Sequence, residues 1–396
     1  MIKILDCKNL SYLSKLKLIL QIRRTGSRKN IDIVSKIVKD IKKNKTKALL
    51  KYEKKFSKNT KLKPSLIEIN KSLKSLSPKI KNAINHAYNR IFKYHSLQKI
   101  KNINYKDNLN NNIRYKSVPI NKVGIYVPAN LPSTLLMNAI PAKVAGVKKI
   151  IIANPRLNKK LNPAVIYAAK KLGIKEIFSI GGAQAIGSLA YIQKVDKIVG
   201  PGNIYVAKAK KEVFGEVGVE GMVAGPSEIT ILADKKSEIE SVVTSLIGQA
   251  EHDENSQCIL ISKELNFLKK VKKLIKLNLV GLPRRKIAEK SLKTNGLLIH
   301  ARDDKNIIDL INLIAPEHLE LNVSKPKKYL NKIVNSGSIC IGKFSAMAVT
   351  DYNVGTNHVL PTMGSAKFSS GLNVADFYKK ISYINLSKKG IEVIGK

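Results

Sequence analysis

Gln249 and His252, three residues apart at the end of a strongly amphipathic run, are the first side chains here with the makings of chemistry. Ile239, Val242, Val243, Leu246, Ile247 and Ala250 repeat at three- and four-residue spacing, which marks one buried helix face. Ser237 followed by Glu240 reads as a capping box and predicts that this helix starts at Ser237. Gln249 and His252 then project on the same side of it. An amide and an imidazole at the rim of a buried face can form half of a metal site, because imidazole suits zinc and neighbouring oxygens can complete the shell. The same pair also fits an ordinary helix C-terminus, where a histidine complements the dipole.

Two more polar segments bear on this. Pro316 stops a helix predicted over 307–314 and restricts Ala315, so Glu317 and His318 arrive in a turn or extended conformation. Adjacent residues there point in different directions and can serve two steps around one pocket. An exposed acid beside a half-buried histidine is the plainer alternative. The run from Asp351 to Thr362 is rich in turn formers and carries Asp351 and His358. A carboxylate from it can join Gln249 and His252 at a metal only if the fold brings them together.

Two glycine-bearing turns follow predicted strands and open predicted helices: Gly181-Gly182-Ala183-Gln184 and Gly200-Pro201-Gly202-Asn203. Glycines let backbone approach a ligand, and a helix N-terminus favours an anionic group such as a pyrophosphate. Neither is the G-x-G-x-x-G fingerprint, and tight turns without a ligand fit equally well. His86 and His95 have no acidic or cysteine neighbours in sequence, His300 closes a predicted strand with no obvious partner, and all three read as structural.

The elements that must position these residues change character along the chain. Residues 1–120 read as basic and helical, with Ser77-Pro78 as N-cap and first-turn pair. From Val123 short apolar runs alternate with helices, the rhythm of a parallel sheet. Strands are predicted at 123–127, 149–153, 176–180 and 197–199, and a second set at 228–233, 257–262 and 296–300.

At 396 residues the chain can bury a sizeable core and divide into domains, and its hydrophobic share of 44% is that of a globular protein. No run is long enough to cross a bilayer, and Lys and Asp interrupt residues 1–20 where a signal peptide would need an apolar stretch. Cys7, Cys258 and Cys340 are odd in number and widely spaced, which offers no disulfide framework and points to a reducing cytoplasm. The net charge of +44 suggests polyanions, but it comes from lysines spread along the whole chain, without tryptophan. Specific nucleic-acid binding would concentrate arginine and interleave aromatics, so none is expected, and no membrane association either.

Taken together, these segments resemble histidinol dehydrogenases. The resemblance is carried by Ile125-Tyr126-Val127-Pro128, by Leu136 through Val147, by Gly181 through Ile186 and by Gly200-Pro201-Gly202-Asn203. It continues through Ala224-Gly225-Pro226-Ser227-Glu228, Gln249-Ala250-Glu251-His252, Ala315-Pro316-Glu317-His318-Leu319, Gly355 through Thr362 and Phe368 through Leu372. Order and spacing hold from about residue 120 to 378.

The resemblance implies a zinc-dependent, NAD-linked cytoplasmic homodimer that oxidises L-histidinol through L-histidinaldehyde to L-histidine. By it, Tyr126, Gln184 and Asn203 match NAD contacts, and Ser227, Gln249, His252, His318 and Asp351 match substrate contacts. Gln249, His252 and Asp351 match zinc ligands, and Glu317 and His318 the catalytic pair. Departures lie at Ala129 through Pro132, at 191–195, at Met347 and at Thr350. The family's C-terminal Glu-Gly-Leu-x-x-His segment supplies a further zinc ligand and a substrate carboxylate. No histidine follows His358 here, so neither role is assigned to a residue. An impaired, C-terminally truncated relative serving as a folded remnant or dimeric scaffold is the alternative expectation.

The expected fold is α/β, with two unequal, incomplete Rossmann-like parallel-sheet domains, one inserted in the other. Residues 1–20 would form an arm, 21–122 plus 229–372 the first domain with its helical N-terminal part, 123–228 the inserted NAD-binding domain, and 373–396 a short tail.

Overall fold

The structure, a computed structural model, describes residues 2–26, 32–98, 100–220 and 225–396. Ala224 of the quoted motifs lies outside them. The chain divides into two compact units: Met1–Val34, Gly202–Lys208 and Gly221–Gly371 form one, while Ser35–Pro201, Ala209–Glu220 and Leu372–Lys396 form the other.

The first unit is built on a six-stranded sheet, all parallel. Its order is Lys3–Asp6, Gly296–His300, Gln257–Ser262, Glu228–Ala233, His318–Asn322, Ser338–Ile341. Every residue of the four inner strands is buried, because helices cover both faces, and this is why these strands read as continuous apolar runs. On one face Val242, Val243, Leu246 and Ala250 of helix Ile239–Ala250 pack with Ile229, Ile231, Cys258 and Leu260. On the other, Leu16 and Leu20 of helix Tyr12–Gly26 and Ile307, Leu310 and Ile311 of helix Asp304–Ile314 pack with Ile259, Ile261, Ile299 and Leu319.

The second unit holds a five-stranded parallel sheet ordered Glu176–Phe178, Lys149–Ala153, Lys122–Tyr126, Lys197–Val199, Gly218–Val219. Counted from its first strand, this order is 3-2-1-4-5, and the first sheet repeats it from Glu228–Ala233 outward, with Lys3–Asp6 added at the edge. Both sheets are parallel and Rossmann-like, as expected. The second unit also carries an antiparallel sheet of Tyr378–Asn385, Asn112–Pro119 and Ile103–Lys106.

Several local expectations change. The residues read as an N-terminal arm include an edge strand, Lys3–Asp6. The tail contributes an eight-residue strand and helix Lys388–Ile394. That strand is almost wholly exposed, so backbone pairing holds it and no buried-face alternation announces it. The capping box at Ser237 is absent. Its hydroxyl accepts from Asp234 N–H at 2.8 Å and donates to the Asn322 carbonyl, so the helix begins at Ile239 without a side-chain cap. Ser77 does cap helix Pro78–Ser96, its hydroxyl accepting from Ile80 N–H. The sequence boundaries placed residues 35–122 with the first sheet, whereas their helices belong to the second unit. Part of the reason is Gly187, whose bare Cα leaves room for Ile41 of helix Asp32–Ser57: a Cβ there would lie 3.2 Å from it. Among the described residues no helix is long and apolar enough to cross a membrane.

Candidate active site

In the first unit the polar residues converge on the amino-terminal edge of the sheet. His318 opens its strand beside Ile229, the second residue of Glu228–Ala233. Helix Asp304–Ile314 ends at Ala315 in the left-handed region, φ 50°, with its N–H bonded to Ile311 O at 2.8 Å, not in the extended conformation expected before proline. The chain then enters the strand at once, which buries both Glu317 and His318. His318 Nε2 lies 3.9 Å from Glu317 Oε1 and 3.6 Å from Asp351 Oδ1. Asp351 is the C-cap of the short helix Met347–Thr350, and its carbonyl accepts from His358 Nδ1–H at 2.7 Å. A carbonyl only accepts, so His358 carries its proton on Nδ1.

Glu317 is held from behind. Its Oε2 accepts the Glu228 N–H at 2.7 Å, while Glu228 Oε1 accepts from Met363 N–H at 2.8 Å and from Arg23 Nη1. Arg23 Nη2 also donates to Pro226 O at 2.9 Å. Desolvation raises the Glu317 carboxyl well above its ordinary range, the Glu228 and Asp351 charges add to this, and Arg23 opposes it. Burial, then the charges of His358 and His252, lower His318 to about 3. Burial also pushes Asp351 up to about 7. His318 is therefore a neutral imidazole across the physiological range, and its closeness to Asp351 is not an ion pair.

These shifts carry opposite signs in stability. Between pH 6.5 and about 3 the unfolded chain protonates His318 while the folded protein does not, so that contribution is lost as pH falls through this window. Between 3.8 and about 7 the folded protein keeps a proton on Asp351 that the unfolded chain has released, so stability is lost as pH rises. In chelator-treated protein, Asp351→Asn is expected to gain stability over the parent by at least about 1 kcal/mol between pH 4 and 7 in urea unfolding. A pH-independent difference would contradict the burial argument.

Gln249 and His252 do not share one helix face. Gln249 is buried in the last turn, whereas His252 lies beyond the C-cap Glu251 and is exposed, its N–H bonded to Gln249 O at 3.2 Å. Among the described residues, Gln249 Nε2 and His318 Nδ1 are buried without a hydrogen-bond partner, and no three His, Cys, Asp or Glu side chains form a metal-holding group. Ser227 is half-buried at the same sheet edge, where its carbonyl accepts from Gln257 N–H at 3.0 Å.

In the second unit Tyr126 and Gln184 lie at the carboxyl ends of strands, where parallel sheets take ligands. Tyr126 ends the first strand, and the order reverses between it and Lys197–Val199, at the switch point. Gly200 follows that fourth strand with φ +104°, where a Cβ would lie 2.1 Å from Tyr126 O. Lys210, wholly buried and lowered to about 8 by desolvation, donates to Gly200 O at 2.6 Å and to Glu220 O at 3.0 Å, which ties the turn down. Gln184 is buried and bonded to Glu53. Asn203, in the Gly202–Lys208 segment of the first unit, caps helix Ile204–Val213, its Oδ1 accepting from Tyr205 and Val206 N–H at 3.1 Å.

Sequence reasoning did not single out Arg23, Glu53 or Lys210. Arg23 stands in a basic stretch, and Glu53 and Lys210 each lie in a lysine-rich helix where they read as solvated; Glu228 was only part of a motif string.

The histidinol dehydrogenase family profile matches residues 21–396. The histidinol dehydrogenase of Pelagibacter ubique is 58% identical over 402 residues, covering 100% of this chain and 94% of that protein. That of Dechloromonas aromatica is 42% identical, covering 91% of this chain and 86% of its own. The crystal structure of histidinol dehydrogenase from Elizabethkingia anophelis superposes with a TM-score of 0.92 at 37% identity, over 100% of this chain and 92% of that one. With the sheet order, the buried Glu317–His318 pair and these likenesses in agreement, the chain belongs to the histidinol dehydrogenase family.

Proposed function

We propose that this chain catalyses the NAD-linked, two-step oxidation of L-histidinol through L-histidinaldehyde to L-histidine, with Glu317 and His318 as its catalytic pair. The observation that carries this reading is the buried cluster in which His318 Nε2 faces both Glu317 and Asp351 at 3.9 and 3.6 Å. In the first oxidation His318, neutral through burial, takes the carbinol hydroxyl proton as hydride leaves the carbinol carbon. In the second, ionised Glu317 takes a proton from the water that adds to the aldehyde carbon, hydride leaves the resulting hydrate anion, and the carboxylic acid so formed releases its proton to solvent as the carboxylate. NAD, when bound, accepts one hydride in each oxidation, so two are consumed per histidine. Tyr126, Gln184 and Asn203 would hold it, and the switch-point position of Tyr126 and the Gly200 turn suits a dinucleotide.

Zinc fits the donor chemistry of Gln249, His252 and Asp351. A cation there would favour the ionised form of the buried Asp351 carboxyl. These three residues would hold it with solvent completing the shell. When bound, zinc orients the substrate's imidazole and amine without redox change. Ser227, Gln249, His252, His318 and Asp351 would line the substrate. Replacing His252 by Ala is expected to weaken zinc binding beyond the roughly 10–100-fold that loss of an outer-shell partner costs. Metal content after dialysis and the zinc dependence of NADH formation measure this, and unchanged zinc retention would remove His252 from the ligand set.

The chain would work as a homodimer in the cytoplasm. Tyr105, Ile113 and Ile384 are cross-strand neighbours on the antiparallel sheet and are exposed, an apolar row suited to a second copy. Cys7, Cys258 and Cys340 are free and buried, as suits a reducing compartment. The remnant or scaffold alternative is not favoured, because the likeness to the Pelagibacter ubique enzyme runs over all of this chain, and Glu317 and His318 are both buried. Purified protein supplied with histidinol, NAD and zinc should form NADH and histidine; a folded protein that forms neither would refute the assignment.

A further inference from the structure

We propose that Glu53 is a positioning residue for the coenzyme: it fixes the amide of Gln184 so that this residue meets NAD as a hydrogen-bond acceptor. The inference rests on the reading of Tyr126 and Gln184 as coenzyme contacts and adds to it the polarity of the contact.

Glu53 lies on helix Asp32–Ser57 and is only 1% exposed, although its neighbours Lys51, Lys54 and Lys55 mark that stretch as solvated. One oxygen, Oε1, accepts from Gly181 N–H at 3.0 Å and from Gln184 Nε2 at 2.9 Å. Just beyond the glutamate, Asn59 N–H donates to Glu53 O at 3.2 Å and Asn59 Nδ2 donates to Ser179 O at 2.6 Å, which ties the end of the helix to the same turn. An oxygen that already takes a backbone N–H accepts in either protonation state of the carboxyl. The side chain of Gln184 must therefore turn its NH₂ toward Glu53, since the flipped amide would set two acceptors face to face. Its Oε1 is directed elsewhere, over Gly182, where any Cβ would come within 2.9 Å of it. Gly182, at φ +63°, keeps that space clear.

Tyr126 completes the arrangement. Its hydroxyl accepts the Gly182 N–H at 3.3 Å, which leaves its own proton to donate. The turn thus presents a donor from Tyr126 and an acceptor from Gln184. A ribose hydroxyl, which both gives and takes hydrogen bonds, satisfies the two together, whereas a phosphate oxygen would face the Gln184 carbonyl unfavourably. The first N–H of the turn is already committed to a carboxylate. This argues against the pyrophosphate seat that the glycines alone suggest, and assigns the turn to a sugar hydroxyl of the dinucleotide.

The test is a cycle of variants in the full-length protein, read as NAD dissociation constants by calorimetry, with circular dichroism to establish folding. Glu53→Met is expected to weaken NAD binding about tenfold and Glu53→Gln, which keeps the acceptor oxygen, less than about twofold. Gln184→Ala should weaken it to the same degree as Glu53→Met, and adding Glu53→Met to Gln184→Ala should change nothing further, because the effect passes through that amide. A merely structural role would weaken binding again in the Gln184→Ala background, and that result overturns the inference. If Gln184→Ala leaves NAD binding unchanged, the coenzyme reading itself fails; if it weakens binding while Glu53→Met does not, only the inference fails. Should Glu53→Met not fold, Glu53→Gln is compared with Gln184→Glu. The first should bind NAD normally and the second at least about tenfold more weakly, and equal effects in the two overturn the proposal.

Discussion

Replacement of Glu317 by glutamine is expected to slow the aldehyde oxidation by about 10²–10⁴-fold, the range over which a positioned general base contributes. Glutamine keeps the size of the side chain, and its amide oxygen can still accept the Glu228 N–H that reaches Glu317 at 2.7 Å. Packing is therefore preserved and the change removes only the proton acceptor. Burial and the neighbouring Glu228 and Asp351 charges raise the Glu317 carboxyl well above its usual range, so once ionised it is a stronger base than a solvated carboxylate. The first oxidation relies on His318 and should be affected far less. Single-turnover measurements with histidinol and with supplied histidinaldehyde separate the two steps. Equal slowing of both would mean that Glu317 is not specific to water activation, and an unimpaired aldehyde step would remove it from the chemistry.

The largest expected effect on stability comes from Arg23. Its side chain is 7% exposed and that of Glu228 2%, which makes this a buried pair. Breaking a buried pair by removing one partner costs about 3–5 kcal/mol, because a charge is left behind without compensation. Arg23→Met is expected to destabilise the protein by that amount in urea unfolding. Glu228→Met added to it should recover most of the loss, since an apolar pair of similar volume can replace a buried ion pair at little cost. The Glu228 N–H that supports Glu317 is backbone and survives both changes. A single variant as stable as the parent would show that the pair contributes nothing, and a double variant no better than the single would place the cost in packing rather than charge.

Much of the fold could be read from periodicity, because strands buried on both faces must be apolar throughout. Strands Lys149–Ala153, Lys197–Val199, Glu228–Ala233, Gln257–Ser262 and Gly296–His300 fall where the sequence placed them. The exposed strand Tyr378–Asn385 left no such trace, because its order comes from backbone pairing with Asn112–Pro119 and not from a buried face. Local signals also yielded where a nearby partner competed: the Ser237 hydroxyl serves Asp234 and Asn322 and not a helix cap.

For the site, residue types and motif strings by themselves determined the family, the candidate pair Glu317 and His318, and the polar segments around Gln249, His252 and Asp351. Only the tertiary structure decided what those residues are chemically. A carboxyl, an imidazole and an amide have the same local sequence context whether solvated or buried, and their protonation and orientation depend on desolvation and on partners hundreds of residues away. Folding places Glu317 and His318 at the amino-terminal edge of a buried sheet, brings Arg23 and Glu228 behind them, and makes His318 neutral and Glu317 a stronger base. It also takes Gln249 inside and leaves His252 exposed, because the helix ends one residue before its C-cap at Glu251.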